Sequence, residues 1–86
     1  MNANWRYVVT PQAERDLRRL DAQVRARVFD ALDRYVTDRQ RGDVKKLHGK
    51  DNEWRLRVGD WRVRFRVNSQ EAVVVILAVR NRREAY

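Results

Sequence analysis

An α+β fold in the order β-α-α-β-β-β is predicted by three features of the sequence. Residues 53–67, EWRLRVGDWRVRFRV, alternate apolar and charged side chains on either side of Gly59-Asp60, which is the pattern of a tight antiparallel hairpin. Residues 10–39 carry apolar side chains at helical spacing in two consecutive stretches. Residues 72–79, AVVVILAV, form a continuous apolar run of strand length.

The elements follow in order. Trp5 to Val9, WRYVV, is aromatic and β-branched and reads as a first strand. Thr10-Pro11 supplies an N-cap and a first helical residue, and Ala13, Leu17 and Leu20 then make one apolar stripe. Asp21 caps a second helix over about 22–39, with Val24, Val28, Leu32 and Tyr35 facing inward. The break at Leu20-Asp21 is short, so the two helices form an αα-hairpin. Arg41-Gly42-Asp43 stops the second helix. Residues 44–52, VKKLHGKDN, read as a basic connecting segment. The hairpin follows, then a turn at 68–70, the apolar strand, and the basic tail RNRREAY. One domain over residues 1–86 is expected, an N-terminal strand and αα-hairpin followed by an antiparallel sheet.

A two-residue loop at Gly59-Asp60 fixes the hairpin register. Arg57 then faces Arg62, Leu56 faces Val63, Arg55 faces Arg64, Trp54 faces Phe65 and Glu53 faces Arg66. One face carries Trp54, Leu56, Val58, Trp61, Val63 and Phe65, which suits a core. The other carries Arg55, Arg57, Arg62, Arg64 and Arg66. Like charges directly opposite on a sheet are unfavourable, and solubility alone would mix the signs. A rigid block of guanidinium groups fits a polyanion, because Arg binds phosphate bidentately.

The 86-residue chain has a formal net charge of +8. The charge is uneven: residues 1–44 hold nine arginines against seven acids, and residues 45–86 hold eleven Lys or Arg against five acids. The second half is therefore the part expected to meet nucleic acid or an acidic partner. With no Cys and a single His, His48, thiol chemistry, Cys-based zinc and a His-cluster metal site are excluded, and no cofactor is expected. The eight-residue apolar run is far short of a membrane span, and the N-terminus does not resemble a signal peptide, so a cytoplasmic protein is expected.

The block L-x-G…W-R-x-R-x-G-x-W-R-x-R-F, followed by a late R-R-x-x-Y, resembles the RelE/ParE superfamily of toxins from type II toxin–antitoxin systems, and the likeness covers nearly the whole chain. The resemblance implies a RelE-like ribonuclease-type fold and one of two activities. RelE-like members cut mRNA in the ribosomal A site and so inhibit translation, whereas ParE-like members act on DNA gyrase. A catalytically inactive member is the third alternative. The RelE-like branch carries basic residues on the two middle strands and an Arg and Tyr in the tail. Here these are Arg55, Arg57, Arg62, Arg82 and Tyr86, all present, which implies a metal-independent endoribonuclease (an mRNA interferase). Lys45, Lys46, Lys50, Arg64 and Arg83 are the candidates for contacts with mRNA and ribosomal RNA. The implied partners are the ribosome, mRNA and a cognate antitoxin, acidic and partly disordered when free, in an oligomeric toxin–antitoxin complex.

One departure bears on the chemistry. RelE-like enzymes often carry Lys where this chain has Arg55 and Arg57, and Arg cannot give up its proton to serve as a base. The base is then Tyr86, Lys50 or a group of the ribosome or RNA. His48 in its basic loop reads as exposed or structural, and Trp54 and Trp61 as core.

Overall fold

The computed structural model describes residues 4–38, 42–49 and 52–83. Its elements are β1 (Arg6–Val9), α1 (Pro11–Arg18), α2 (Ala22–Thr37), β2 (Asp43–Lys46), β3 (Glu53–Val58), β4 (Trp61–Asn68) and β5 (Val73–Asn81). The strands form one sheet in the order β1-β5-β4-β3-β2, and both helices pack against one of its faces. Among the described residues no helix is long and apolar enough to cross a membrane.

The helices start where local chemistry places them. Thr10 is extended (φ −70°, ψ 162°) and its Oγ1 accepts the Ala13 N–H at 3.3 Å, with Pro11 opening α1. Asp21 Oδ1 accepts the Val24 N–H at 3.0 Å and opens α2. Between the helices, Arg25 Nη1 donates to the Leu20 carbonyl at 3.2 Å, a cation closing the C-terminal end of α1. The exposed ion pairs Glu14–Arg18 and Asp30–Arg34 lie one helical turn apart on the outer faces.

The core joins Ala13, Leu17 and Leu20 to Val28, Leu32 and Tyr35, and sets both groups on Leu56, Val63, Phe65, Val74, Ile76 and Val79. Trp54 and Trp61 pack against it half-buried, as their place on the apolar face requires. Tyr7 reaches α2: its hydroxyl pKa is raised by burial and by the neighbouring Asp33 carboxylate.

The hairpin register matches the sequence expectation residue for residue, from Glu53↔Arg66 to Val58↔Trp61. Gly59 has φ +59°, the conformation demanded at the first central position of a II′ turn. Two features differ from expectation. The segment expected to be a plain connection contains β2, whose Val44 lies opposite Leu56 and extends the apolar face by one strand. Gly42 makes this strand possible, since at φ +99° a Cβ there would stand 3.0 Å from Leu56 Cδ1. The sheet is also mixed, because β1 runs parallel to β5 while all other pairs are antiparallel. β5 is interior to the sheet through its pairing with β1 and β4.

Candidate functional site

The face of the sheet away from the helices is organised in rows, because paired residues on neighbouring strands share a face. One row runs Asp43, Arg57, Arg62, Arg80 across β2, β3, β4 and β5. The next runs Lys45, Arg55, Arg64, Ala78, and a third brings Glu53 opposite Arg66. Adjacent strands are about 4.8 Å apart, so the three arginines of the first row span about 10 Å. That is the scale of one phosphate group held from several sides.

Glu53 sits at one end of the basic face. Its side chain is only 8% exposed and sits 3.4 Å from both Arg64 Nε and Arg66 Nη2. Glu53 thus counters the charge of Arg64 and Arg66 at the open end of the hairpin. Glu53 Oε1 and Arg55 Nε are buried without a hydrogen-bond partner among the described residues, an arrangement that costs stability. Arg57 Nε donates to the Gly59 carbonyl at 3.3 Å, which leans its stem along the turn. Replacing Glu53 with Gln is expected to lower unfolding stability by about 1–3 kcal/mol, the scale of a lost charged hydrogen bond. The same variant should bind a polyanion such as poly(U) more tightly. Denaturant titration and salt-dependent binding check both signs, and unchanged binding would remove Arg64 and Arg66 from the anion surface.

The sequence-derived candidates fall into four places. Arg55, Arg57, Arg62, Arg64 and Lys45 are together on the face just described. Lys46 is not: it lies in register with Trp54 on the other face, its Nζ 5.7 Å from the indole centroid. Arg82 and Arg83 lie beyond the end of β5 around a polar cleft of about 160 Å³ shared with Asp60 and Asn81, and the Arg82 N–H donates to the Asp60 carbonyl at 2.8 Å. Tyr86 and Lys50 lie outside the described residues. His48 is exposed.

Arg80 is the member that sequence reasoning missed. Its side chain is 40% exposed, it stands directly opposite Arg62, and its Nε is 3.7 Å from Asp16 Oδ2. A count of strand parity would have placed it on the wrong face. β5 carries a bulge opposite the Arg64/Phe65 step, where Phe65 pairs with Ile76 but Arg64 pairs with Ala78. No alternation in the apolar run discloses it.

A second feature lies between α2 and β3. A cleft of about 380 Å³ has Ala31, Tyr35, Leu56 and Val58 among its lining, together with Arg27 and the paired Asp30 and Arg34.

Comparison with known proteins agrees with this architecture. The family described as ParE toxin of type II toxin–antitoxin system, parDE, matches residues 7–86. The chain is similar to the toxin–antitoxin complex RelE–RelB from Pyrococcus horikoshii OT3, with 28% identity and a TM-score of 0.76 over 96% of this chain and 100% of that one. It is similar in fold to the RelBE2 complex from Mycobacterium tuberculosis, with 24% identity and a TM-score of 0.80 over 92% and 99% of the two chains. The RelBE complex from E. coli gives 20% identity and a TM-score of 0.72 over 92% and 96%. No curated protein matches by sequence. The match across residues 7–86, on a sheet of this topology, shows that the chain belongs to the ParE toxin family of type II toxin–antitoxin systems, within the RelE/ParE superfamily.

Proposed function

We infer that the protein is a toxin that cuts mRNA on the ribosome without a metal ion, and so inhibits translation. The observation that carries this reading is the row Arg57–Arg62–Arg80, three guanidinium groups in register across three strands. Cleavage of this kind begins with attack of a 2′-OH on the adjacent phosphate. Negative charge builds on the phosphorane, the 5′-oxygen leaves with a proton, and a 2′,3′-cyclic phosphate remains. Arginines fixed on a sheet suit the middle step, stabilisation of added charge by preorganised donors. Arg57 and Arg62 would hold the scissile phosphate from two sides and Arg80 from a third. Arg55 and Arg64, one row along, would take the next phosphate with Lys45. The arginines do not serve the first step, so the 2′-OH proton goes to Tyr86, Lys50 or a group of the ribosome or RNA. Arg82 and Arg83 are assigned to the leaving-group side or to ribosomal RNA. Weak base catalysis costs about two to four orders of magnitude, and ribosomal positioning of the mRNA can offset much of that.

The partner is a cognate antitoxin, acidic and partly disordered before it binds, whose negative charge meets the basic face. The P. horikoshii and M. tuberculosis neighbours are complexes of toxin with antitoxin. An apolar residue of such a segment would fit the cleft between α2 and β3, with its acids reaching Arg27 and Arg34. Assembly of the pair into a larger complex is expected.

The name of the matching family favours one second reading, a toxin directed at DNA gyrase. Mapping of mRNA 5′ ends after brief induction of the free toxin separates the two. Cuts within translated regions, abolished when translation is blocked beforehand, are the expected result. Growth arrest with intact mRNA and damaged DNA would replace the nuclease by the gyrase inhibitor. No arrest would identify an inactive member.

A further inference from the structure

We propose that Asp16 and Thr10, which lie off the basic face, are positioning residues for Arg80: they hold the one-residue bulge in β5 that turns Arg80 from the core side to the basic side. The importance given to Arg80 rests on the reading above, while the device itself is a matter of strand geometry.

Val74 and Ile76 point into the core. Strict alternation would send residues 78 and 80 the same way and would place a guanidinium under the helices, where a charge without full compensation is not tolerated. The strand instead takes two residues, from Ile76 to Ala78, while β4 takes one, from Phe65 to Arg64. Leu77 is the extra residue. Beyond it Val79 returns to the core at 3% exposure, and Arg80 stands opposite Arg62. Bulges commonly re-aim a side chain in this way.

The bulge occurs where β5 loses a neighbour. β1 ends at Val9, opposite Ile76, and the chain turns into α1. The backbone groups of β5 left on that side are taken up by the start of the helix. Thr10 N–H donates to the Ile76 carbonyl at 3.1 Å, and Thr10 Oγ1 donates to the same carbonyl at 2.8 Å and approaches that of Leu77 at 3.3 Å. Asp16 Oδ2 accepts the Val79 N–H at 2.9 Å, from a residue only 4% exposed. Its other oxygen accepts from Gln12 Nε2 at 2.9 Å. The same Oδ2 lies 3.7 Å from Arg80 Nε. One carboxylate therefore fixes the register after the bulge and orients the guanidinium that the register delivers. Helix packing alone would have been served by an apolar residue at 16, beside Ala13 and Leu17.

The test uses the purified full-length toxin. In Asp16→Ala, the Val79 amide should lose protection from hydrogen exchange, and the Arg80 Nε–H resonance should move. Cleavage of mRNA on programmed ribosomes should fall at least tenfold, chiefly in kcat. Adding Asp16→Ala to Arg80→Ala should cost little more than Arg80→Ala alone, since both act through one side chain. Asp16→Asn, which keeps an acceptor for Val79 and folds more readily, should retain the amide protection and still move Arg80 Nε. Thr10→Ser should behave as wild type, and Thr10→Val should not. Unmoved Val79 and Arg80 signals in Asp16→Ala overturn the proposal, as does a loss of cleavage that is equally large with Arg80 already absent. If the wild-type toxin cuts no mRNA, the nuclease reading fails, and the two spectroscopic signals still decide the positioning role.

Discussion

Arg62→Ala is expected to lower single-turnover cleavage of ribosome-bound mRNA by about 10²–10³-fold, the cost of removing one preorganised donor from a developing anion. Arg62 is the middle member of its row, between Arg57 on β3 and Arg80 on β5, so it alone neighbours both other guanidiniums. Its loss removes the charge at the centre of the phosphate position and leaves two donors separated by a strand, whereas loss of either outer arginine leaves two donors on adjacent strands. Arg62→Lys should recover only part of the rate, because an ammonium restores the charge and not the planar fork. Stability should move little. Relief of repulsion from Arg57 and Arg80 opposes the contacts the side chain gives up, and a net change within about 1 kcal/mol is expected. Cleavage assays and thermal unfolding on the same preparations make the comparison. A rate within threefold of wild type would mean that the row is not the phosphate site.

That prediction draws on both sequence and structure, and the two contributed differently. The hairpin was legible because two local signals agree: Gly59-Asp60 sets the loop and period-two alternation sets the faces, so every pair from Glu53↔Arg66 inward could be written down. Thr10-Pro11 and Asp21 marked the helix starts for equally local reasons. β2 was hidden because four residues with a single strong apolar side chain, Val44, carry too little pattern to register as a strand. The parallel pairing of β1 with β5 was hidden because it joins segments more than sixty residues apart, and nothing in either names its neighbour. The basic face was therefore read correctly where it is made by one hairpin and incompletely where it draws on a distant strand. Lys45 and Lys46 show the same limit at β2: adjacent in sequence, they part to opposite faces once the segment becomes a strand. Arg80 shows it most sharply. Counting parity along AVVVILAV gives the wrong face, because the bulge that resets it depends on where β1 ends and on the side chains of Thr10 and Asp16.

Phe65→Ala should have the largest effect on stability and should separate folding from chemistry. Phe65 is fully buried, and its ring meets that of Tyr35 at 5.3 Å between centroids with a 56° tilt. It is also the β4 residue opposite Ile76, at the edge of the bulge, so it joins the helical layer to the strand that delivers Arg80. Truncating a buried Phe costs about 3–5 kcal/mol through lost transfer energy and the cavity left behind. A domain of this length has little reserve against that, since whole-protein stabilities are about 5–15 kcal/mol and short chains bury the smallest share of their surface. At roughly 4–8 °C per kcal/mol, the unfolding midpoint should fall by some 12–40 °C. Phe65→Leu keeps most of the volume and should lose less than half as much. The loss of cleavage in Phe65→Ala should follow the unfolded fraction and recover on cooling, and saturation with an antitoxin that binds only the folded toxin should raise the midpoint again. Arg62→Ala should do none of these, because its defect lies in the folded site. A Phe65→Ala midpoint within a few degrees of wild type would show that the Tyr35–Phe65 contact is not where the helical layer is fastened to the sheet.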